Sequence, residues 1–164
     1  MSLAKASGLS AANVITLTDC FTLLGTASSI PALDLNALLD AVIFNFVIGN
    51  HDAHDKNFSL LRQADGTIRL APLYDLVCTI YYPELTQNMA MKLGGETKST
   101  AILPTHIEKF AEDAGFGKAL VRNRVSELTQ AVYNAVDETE QLHDFAKKVA
   151  ALVKQRCVDV LSRF

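Results

Sequence analysis

Between Asp34 and Gly49 apolar side chains return at helical spacing, through Leu35, Leu38, Leu39, Val42, Ile43, Phe46 and Val47. Phe44 and Ile48 add a further apolar face, which predicts a central helix buried nearly all round. Asp34, just past Ile30-Pro31, stands where an N-cap is expected, and Gly49 closes the segment as a C′ glycine would. The pattern then turns polar from Asn50 to Asn57. Two short extended stretches follow, Phe58 to Arg62 and Thr67 to Leu70, and Asp65-Gly66 between them predicts a hairpin. Thr79 to Tyr82 and Asn88 to Leu93 read as further short strands or extended loop, with Gly94-Gly95 as a turn.

The remainder reads as helical. Thr105 and Glu108 form a capping box after Pro104, and Gly115 stops that helix. Val121, Val125, Leu128, Val132 and Val136 mark the core face of a second helix. Leu142, Phe145, Val149, Leu152, Val153, Cys157, Val160 and Leu161 mark that of a third. Ala4 to Ser29 is mixed and reads as loop with one short helix, while Met1-Ser2-Leu3 reads as an expression scar. The expected fold is mainly α with a small β-hairpin insert, as one domain over residues 4–164.

Composition narrows the class. A 49% hydrophobic content excludes a disordered tail, and 15 basic against 18 acidic residues leave no global charge footprint for nucleic acid. Cys20, Cys78 and Cys157 are odd in number and far apart, which argues against a disulfide frame or a zinc site. The longest nearly apolar run, Ala41 to Ile48, is short of the ~20 residues of a membrane span. No basic region followed by an apolar block opens the chain. The expectation is a reduced, cytoplasmic protein with no membrane contact.

Candidate chemistry concentrates in Asn50-His51-Asp52-Ala53-His54-Asp55-Lys56-Asn57, directly after the apolar helix. A polar helix-to-strand connection by itself needs no explanation. Spacing carries more information. Phosphoryl transfer to a hydroxyl needs a carboxylate to orient or accept the proton, plus a carboxamide and a second carboxylate to hold magnesium on the phosphates. In protein kinases the metal-binding Asn follows the catalytic-loop Asp by five residues, and the second metal-binding Asp lies beyond. Here Asp52 is followed by Asn57 at that spacing, then by the hairpin, then by Asp75. A hairpin returns the chain close to where it left, so Asn57 and Asp75 should approach across its base. Lys56 either neutralises charge on the transferred group or is an exposed loop lysine. His54 either steadies the Asp52 carboxylate, accepts a transient proton, or is structural. His51 and Asp55 have no defined role, and His106 and His143 read as surface or satisfied core groups.

The segment Phe44-Asn45-Phe46-Val47-Ile48-Gly49-Asn50-His51-Asp52-Ala53-His54-Asp55-Lys56-Asn57-Phe58-Ser59-Leu60 resembles the signature of the HipA-type toxin kinases. Leu70-Ala71-Pro72-Leu73-Tyr74-Asp75-Leu76 resembles the same family's metal-binding segment, and Met89 to Gly95 is a weaker match to the stretch that follows. The resemblance implies Asp52 as base and Asn57 and Asp75 as magnesium ligands, with ATP and Mg2+ as cofactors. It implies a protein-kinase-like fold, nearest the lipid-kinase branch, in a bacterial serine/threonine kinase that phosphorylates aminoacyl-tRNA synthetases. It also implies a helix-turn-helix, HipB-like antitoxin that makes the DNA contact.

One feature of that pattern is missing. No Gly-x-Gly-x-x-Gly loop or strand lysine precedes Asp34, so the expectation is the C-terminal lobe alone, with the N-terminal lobe absent. Two alternatives compete: a catalytically idle lobe kept for partner binding, and a His-Asp metal-dependent phosphohydrolase built on His51-Asp52. The second needs further ligands, for which only His106 and His143 remain among histidines. The expectation for the 164 residues alone is weak ATP–magnesium binding and no phosphate transfer. Robust transfer that disappears in Asp52→Asn would overturn the single-lobe expectation while keeping the family.

Overall fold

The computed structural model describes residues 1–3, 15–137 and 143–164. Five helices and two small antiparallel sheets make up the described fold, mainly α as the pattern predicts. The helices are α1 (Leu17–Ala27), α2 (Pro31–Ile48), α3 (Pro104–Asp113), α4 (Lys118–Val136) and α5 (Asp144–Leu161). One sheet pairs β1 (Leu60–Arg62) with β2 (Ile68–Leu70), and the other pairs β3 (Asn88–Leu93) with β4 (Glu96–Lys98).

The central helix α2 packs against α1, α4 and α5. Leu38, Leu39, Ala41, Ile43, Phe46 and Val47 are buried along it. By length and composition alone this helix is apolar enough to cross a membrane. Its surroundings are those of a core helix, consistent with its embedded Asp34 and Asn45, both buried. Asp40 on its flank is bridged by Arg124 of α4 through two bonds of 2.6 Å, which ties the two helices together.

The start of α2 departs from expectation. The helix opens at Pro31, with Ile30 in the N-cap position, and Asp34 lies a turn inside it. Asp34 is drawn into a different task, because its carboxylate accepts from Ser28 Oγ at 2.5 Å, from Arg69 Nε at 3.0 Å and from the Leu70 N–H at 2.9 Å. Ser29 adds two bonds to Ile68, one by its N–H and one by its hydroxyl. The hairpin is thereby pinned to the helix that carries the polar loop. Its register is Leu60 opposite Leu70 and Arg62 opposite Ile68, and Gly66 at φ 87° closes the turn.

Other expectations are refined. Residues 17–27 form a full helix, capped by a reciprocal Thr16–Asp19 box, where only one short helix was expected within a loop. The first three residues pair with β1: Leu3 donates to Phe58 O at 2.8 Å, and Leu3 is 1% exposed. At α3 the box is made by neither Thr105 nor Glu108. Pro104 occupies the first turn, and His106 Nδ1 accepts the Leu103 N–H at 3.0 Å instead. Residues Thr79–Tyr81 form a 3-10 turn, not a strand. On α5, Val153, Cys157 and Val160 face the core, but Phe145 is 47% exposed with its ring 5.1 Å from that of Tyr81. Leu142, assigned to the same stripe, and residues 4–14 of the first segment lie outside the described residues.

Burial alone would raise the Asp34 carboxyl. The hydrogen bonds from Arg69, Ser28 and the Leu70 N–H, with the Arg69 charge, outweigh that and hold it below the ordinary carboxylate value. A depressed folded pKa contributes stability that is present above the unfolded value of 3.8 and is lost as pH falls through the lower folded one. Asp34→Asn should therefore flatten the loss of stability below about pH 4. At pH 7 it should cost about 2–3 kcal/mol, less than the ~3–5 kcal/mol of a fully buried broken pair because Arg69 stays partly solvated. Urea unfolding at pH 7 and pH 3 checks both effects, and equal acid sensitivity in the two proteins would contradict them.

Candidate active site

The polar loop begins where α2 has to stop. Gly49 takes the left-handed conformation at φ 74°, and a Cβ there would lie 2.6 Å from Ile80 Cδ1 and 3.1 Å from Arg156 Nε. Glycine is thus required both by the backbone and by close packing. Arg156, from α5, donates to Phe46 O at 2.7 Å and to Val47 O at 3.2 Å. Two of the carbonyls at the end of α2 gain a donor this way from a partly buried cation placed against the negative end of the helix.

His51 points away from solvent. Its Nε2 shares a 2.8 Å hydrogen bond with Ser99 Oγ, which Arg156 also approaches at 3.4 Å. The His51 N–H donates to Thr79 Oγ1 at 2.8 Å, and that hydroxyl donates to Gly49 O at 3.1 Å. The His51 carbonyl accepts the Ala90 N–H of β3 at 2.7 Å. This hydroxyl bridge is why residues 79–81 curl into a turn rather than extend. Burial, and then the Arg156 charge, lower the His51 pKa, so the ring is neutral at pH 7. His51 is a strut of the loop.

Asp52 follows directly and is exposed, its N–H bonded to Asn50 Oδ1 at 3.2 Å. His54 is partly buried, and Lys56 is exposed at the next 3-10 turn, residues Asp55–Asn57. Asn57 is buried, only 6% exposed. The structure brings Asn57 and Asp75 together as the hairpin argument predicts: Asn57 Nδ2 donates to Asp75 Oδ2 at 2.5 Å. Tyr74 clamps the same junction, its hydroxyl donating to Lys56 O and lying 2.9 Å from Ser59 Oγ. Asp75 holds φ 59°, the one non-glycine residue at positive φ among those described.

Asn57 Oδ1 is buried and accepts no hydrogen bond from the described residues. A buried, unpartnered amide oxygen next to an exposed carboxylate is a donor set that fits a hard divalent cation such as magnesium. The phosphohydrolase alternative fares differently. His106 and His143 are engaged at the N-termini of α3 and α5 through their Nδ1 atoms, and no three His, Cys, Asp or Glu groups converge on a metal position among the described residues.

Mainly helical packing with two small two-stranded sheets, a buried helix and a polar loop folded back on a hairpin define a kinase-like lobe. The chain belongs to the HipA-like C-terminal domain family, which matches residues 1–139. It is 41% identical over 150 residues to "Putative kinase Y4mE" of Sinorhizobium fredii, covering 85% of this chain and 36% of that protein. It is 28% identical over 101 residues to the serine/threonine-protein kinase toxin HipA of Shewanella oneidensis, covering 62% of this chain and 23% of that one. The solved complex of Shewanella oneidensis HipA with HipB and operator DNA superposes on 92% of this chain and 36% of that one, with TM-score 0.79 at 22% identity. The Helicobacter pylori proinflammatory kinase CtkA gives TM-score 0.53 at 11% identity, covering all of this chain and 67% of the other. The chain therefore spans about a third or less of the curated relatives named here.

Sequence reasoning missed Arg156, Ser99 and Thr79. Arg156→Ala should leave the Val47 carbonyl without its donor and the Phe46 carbonyl with only the Gly49 N–H at 3.3 Å, and cost about 2–3 kcal/mol. That is a drop of roughly 5–10 °C in Tm for a chain of this size. Thermal unfolding followed by circular dichroism reads it, and an unchanged Tm would remove Arg156 from the account.

Proposed function

We propose that this chain is the C-terminal catalytic lobe of a HipA-type serine/threonine protein kinase, serving magnesium-dependent transfer of phosphate from ATP to a protein hydroxyl. The observation that carries the reading is the 2.5 Å approach of Asn57 to Asp75 on the same polar loop and hairpin as exposed Asp52. Asp52 orients the acceptor hydroxyl and receives its proton. Asn57 Oδ1 and the Asp75 carboxylate would hold Mg2+, a hard cation that takes oxygen donors. ATP bound there would provide the phosphoryl group, and the metal would offset its negative charge. Lys56, exposed on the same loop, meets negative charge that develops on the transferred group. His54, two residues after Asp52, braces the loop through its backbone carbonyl, which accepts the Asn57 N–H at 2.9 Å.

The family relationship extends the reading to partners. The Shewanella oneidensis HipA structure is a complex with HipB and operator DNA, which supports a HipB-like helix-turn-helix antitoxin here, with DNA reached only through it. An aminoacyl-tRNA synthetase as protein substrate and a cytoplasmic location belong to the same proposal. The chain's net charge of −3 agrees with DNA contact lying on the partner.

In the intact gene product Asp52→Asn should lower kcat about 10²–10⁴-fold with little change in magnesium affinity. Asn57→Ala and Asp75→Ala should instead raise the magnesium concentration required for transfer. Steady-state transfer from labelled ATP across a magnesium series separates the two effects. Unchanged transfer in Asp52→Asn would contradict the proposal.

A further inference from the structure

Asn50 occupies a position for which the transfer chemistry names no role, yet it is buried and its carboxamide is fully engaged. Nδ2 donates to Asn45 Oδ1 at 2.8 Å and to the Asp75 carbonyl at 2.9 Å. Oδ1 accepts the Asp52 N–H at 3.2 Å. Both N–H donors and an acceptor lone pair are therefore used. One arm reaches the proposed base, one reaches the proposed metal ligand, and one anchors the group to α2. Asn45 is itself held, since its Nδ2 donates to Ala41 O at 2.9 Å within the helix.

We infer that Asn50 is the positioning residue that joins the Asp52 loop and the Asp75 turn into one unit. The inference rests on the kinase reading of Asp52 and Asp75 and assigns the device that sets their relative placement. Asp75 sits at φ 59°, a conformation that costs an ordinary side chain free energy and persists only where neighbours impose it. The bond from Asn50 grips the carbonyl of that same residue. A carboxamide is needed because the site demands two donors and an acceptor in one plane. Aspartate there would set a buried negative charge against Asn45 Oδ1 and the Asp75 carbonyl, and alanine would leave the Asp52 N–H and the Asp75 carbonyl without this partner. Arg156 and Ser99 secure the loop from its inner side through His51, whereas Asn50 spans the two functional segments directly.

The test uses the 164-residue chain with Mn2+ as the probe. Amide hydrogen exchange of Asp52 is read by NMR, and Mn2+ affinity by the electron-paramagnetic signal of the free ion, for wild type, Asn50→Ala and Asp75→Ala. The expected result is at least tenfold faster exchange at Asp52 in Asn50→Ala, with exchange in α3 and α4 unchanged, and Mn2+ affinity at least tenfold weaker. Asp75→Ala should abolish specific Mn2+ binding. If Asp75→Ala weakens Mn2+ binding and Asn50→Ala changes neither readout, the positioning role is overturned and the kinase reading stands. If no variant alters Mn2+ binding, the metal site falls and the inference with it. Should Asn50→Ala fail to fold, Asn45→Ala removes the anchor beneath it, together with the bond to Ala41 O, and should give about threefold effects in the same two readouts. No effect from Asn45→Ala would then overturn the inference.

Discussion

A buried apolar helix that ends inside a protein leaves its last carbonyls in need of partners, and the way α2 meets that need governs everything beyond it. Gly49 turns the chain into the left-handed region, and Arg156 supplies the missing donors from α5. The polar loop leaves α2 in one direction because both the turn and the cap are fixed. His51 is then pulled inward to Ser99 and Thr79, while Asp52, the next residue, faces solvent. An exposed carboxylate on a braced loop is what proton transfer to an incoming hydroxyl requires.

The hairpin supplies the second constraint. Its strands are only three residues long and gain little from their own ladder, so their placement depends on outside anchors. Asp34 provides one by holding Arg69 and the Leu70 N–H, and the Ser29–Ile68 bonds provide another. Residues 1–3 cover the opposite side of β1. With the hairpin fixed to the start of α2 and the loop fixed to its end, Asn57 and Asp75 meet across the hairpin base. The same helix thus sets both halves of the candidate site.

Much of this was legible in the sequence, because it depends on local signals. Apolar periodicity announced α2, Gly49 announced its end, Asp65-Gly66 announced the turn, and the order Asp52, Asn57, hairpin, Asp75 announced the convergence. The Thr16–Asp19 box is a local signal of the same kind, yet the mixed composition of Ala4 to Ser29 reads only as loop with one short helix. What stayed hidden depends on partners distant in the chain. Nothing near Arg156 marks it as the cap of a helix more than a hundred residues earlier, and on α5 it reads as one more charge beside an apolar stripe. Asp34 reads as a cap because its local context permits one, and only the folded hairpin reveals the competing donors. Thr79-Ile80-Tyr81 favours a strand by propensity, but the hydroxyl bridge between His51 and Gly49 overrides it. Phe145 fits the helical stripe yet lies beyond the reach of the core and meets Tyr81 at the surface.

The central claim is that one helix and one hairpin deliver Asn57 and Asp75 to a single divalent cation beside Asp52. The most direct measurement is a map of paramagnetic broadening in the 1H–15N spectrum of the chain as Mn2+ and ATP are added. The account predicts broadening centred on residues 52, 57 and 75, fading along α2 with distance. Broadening centred elsewhere, or spread evenly over the acidic surface, would contradict it.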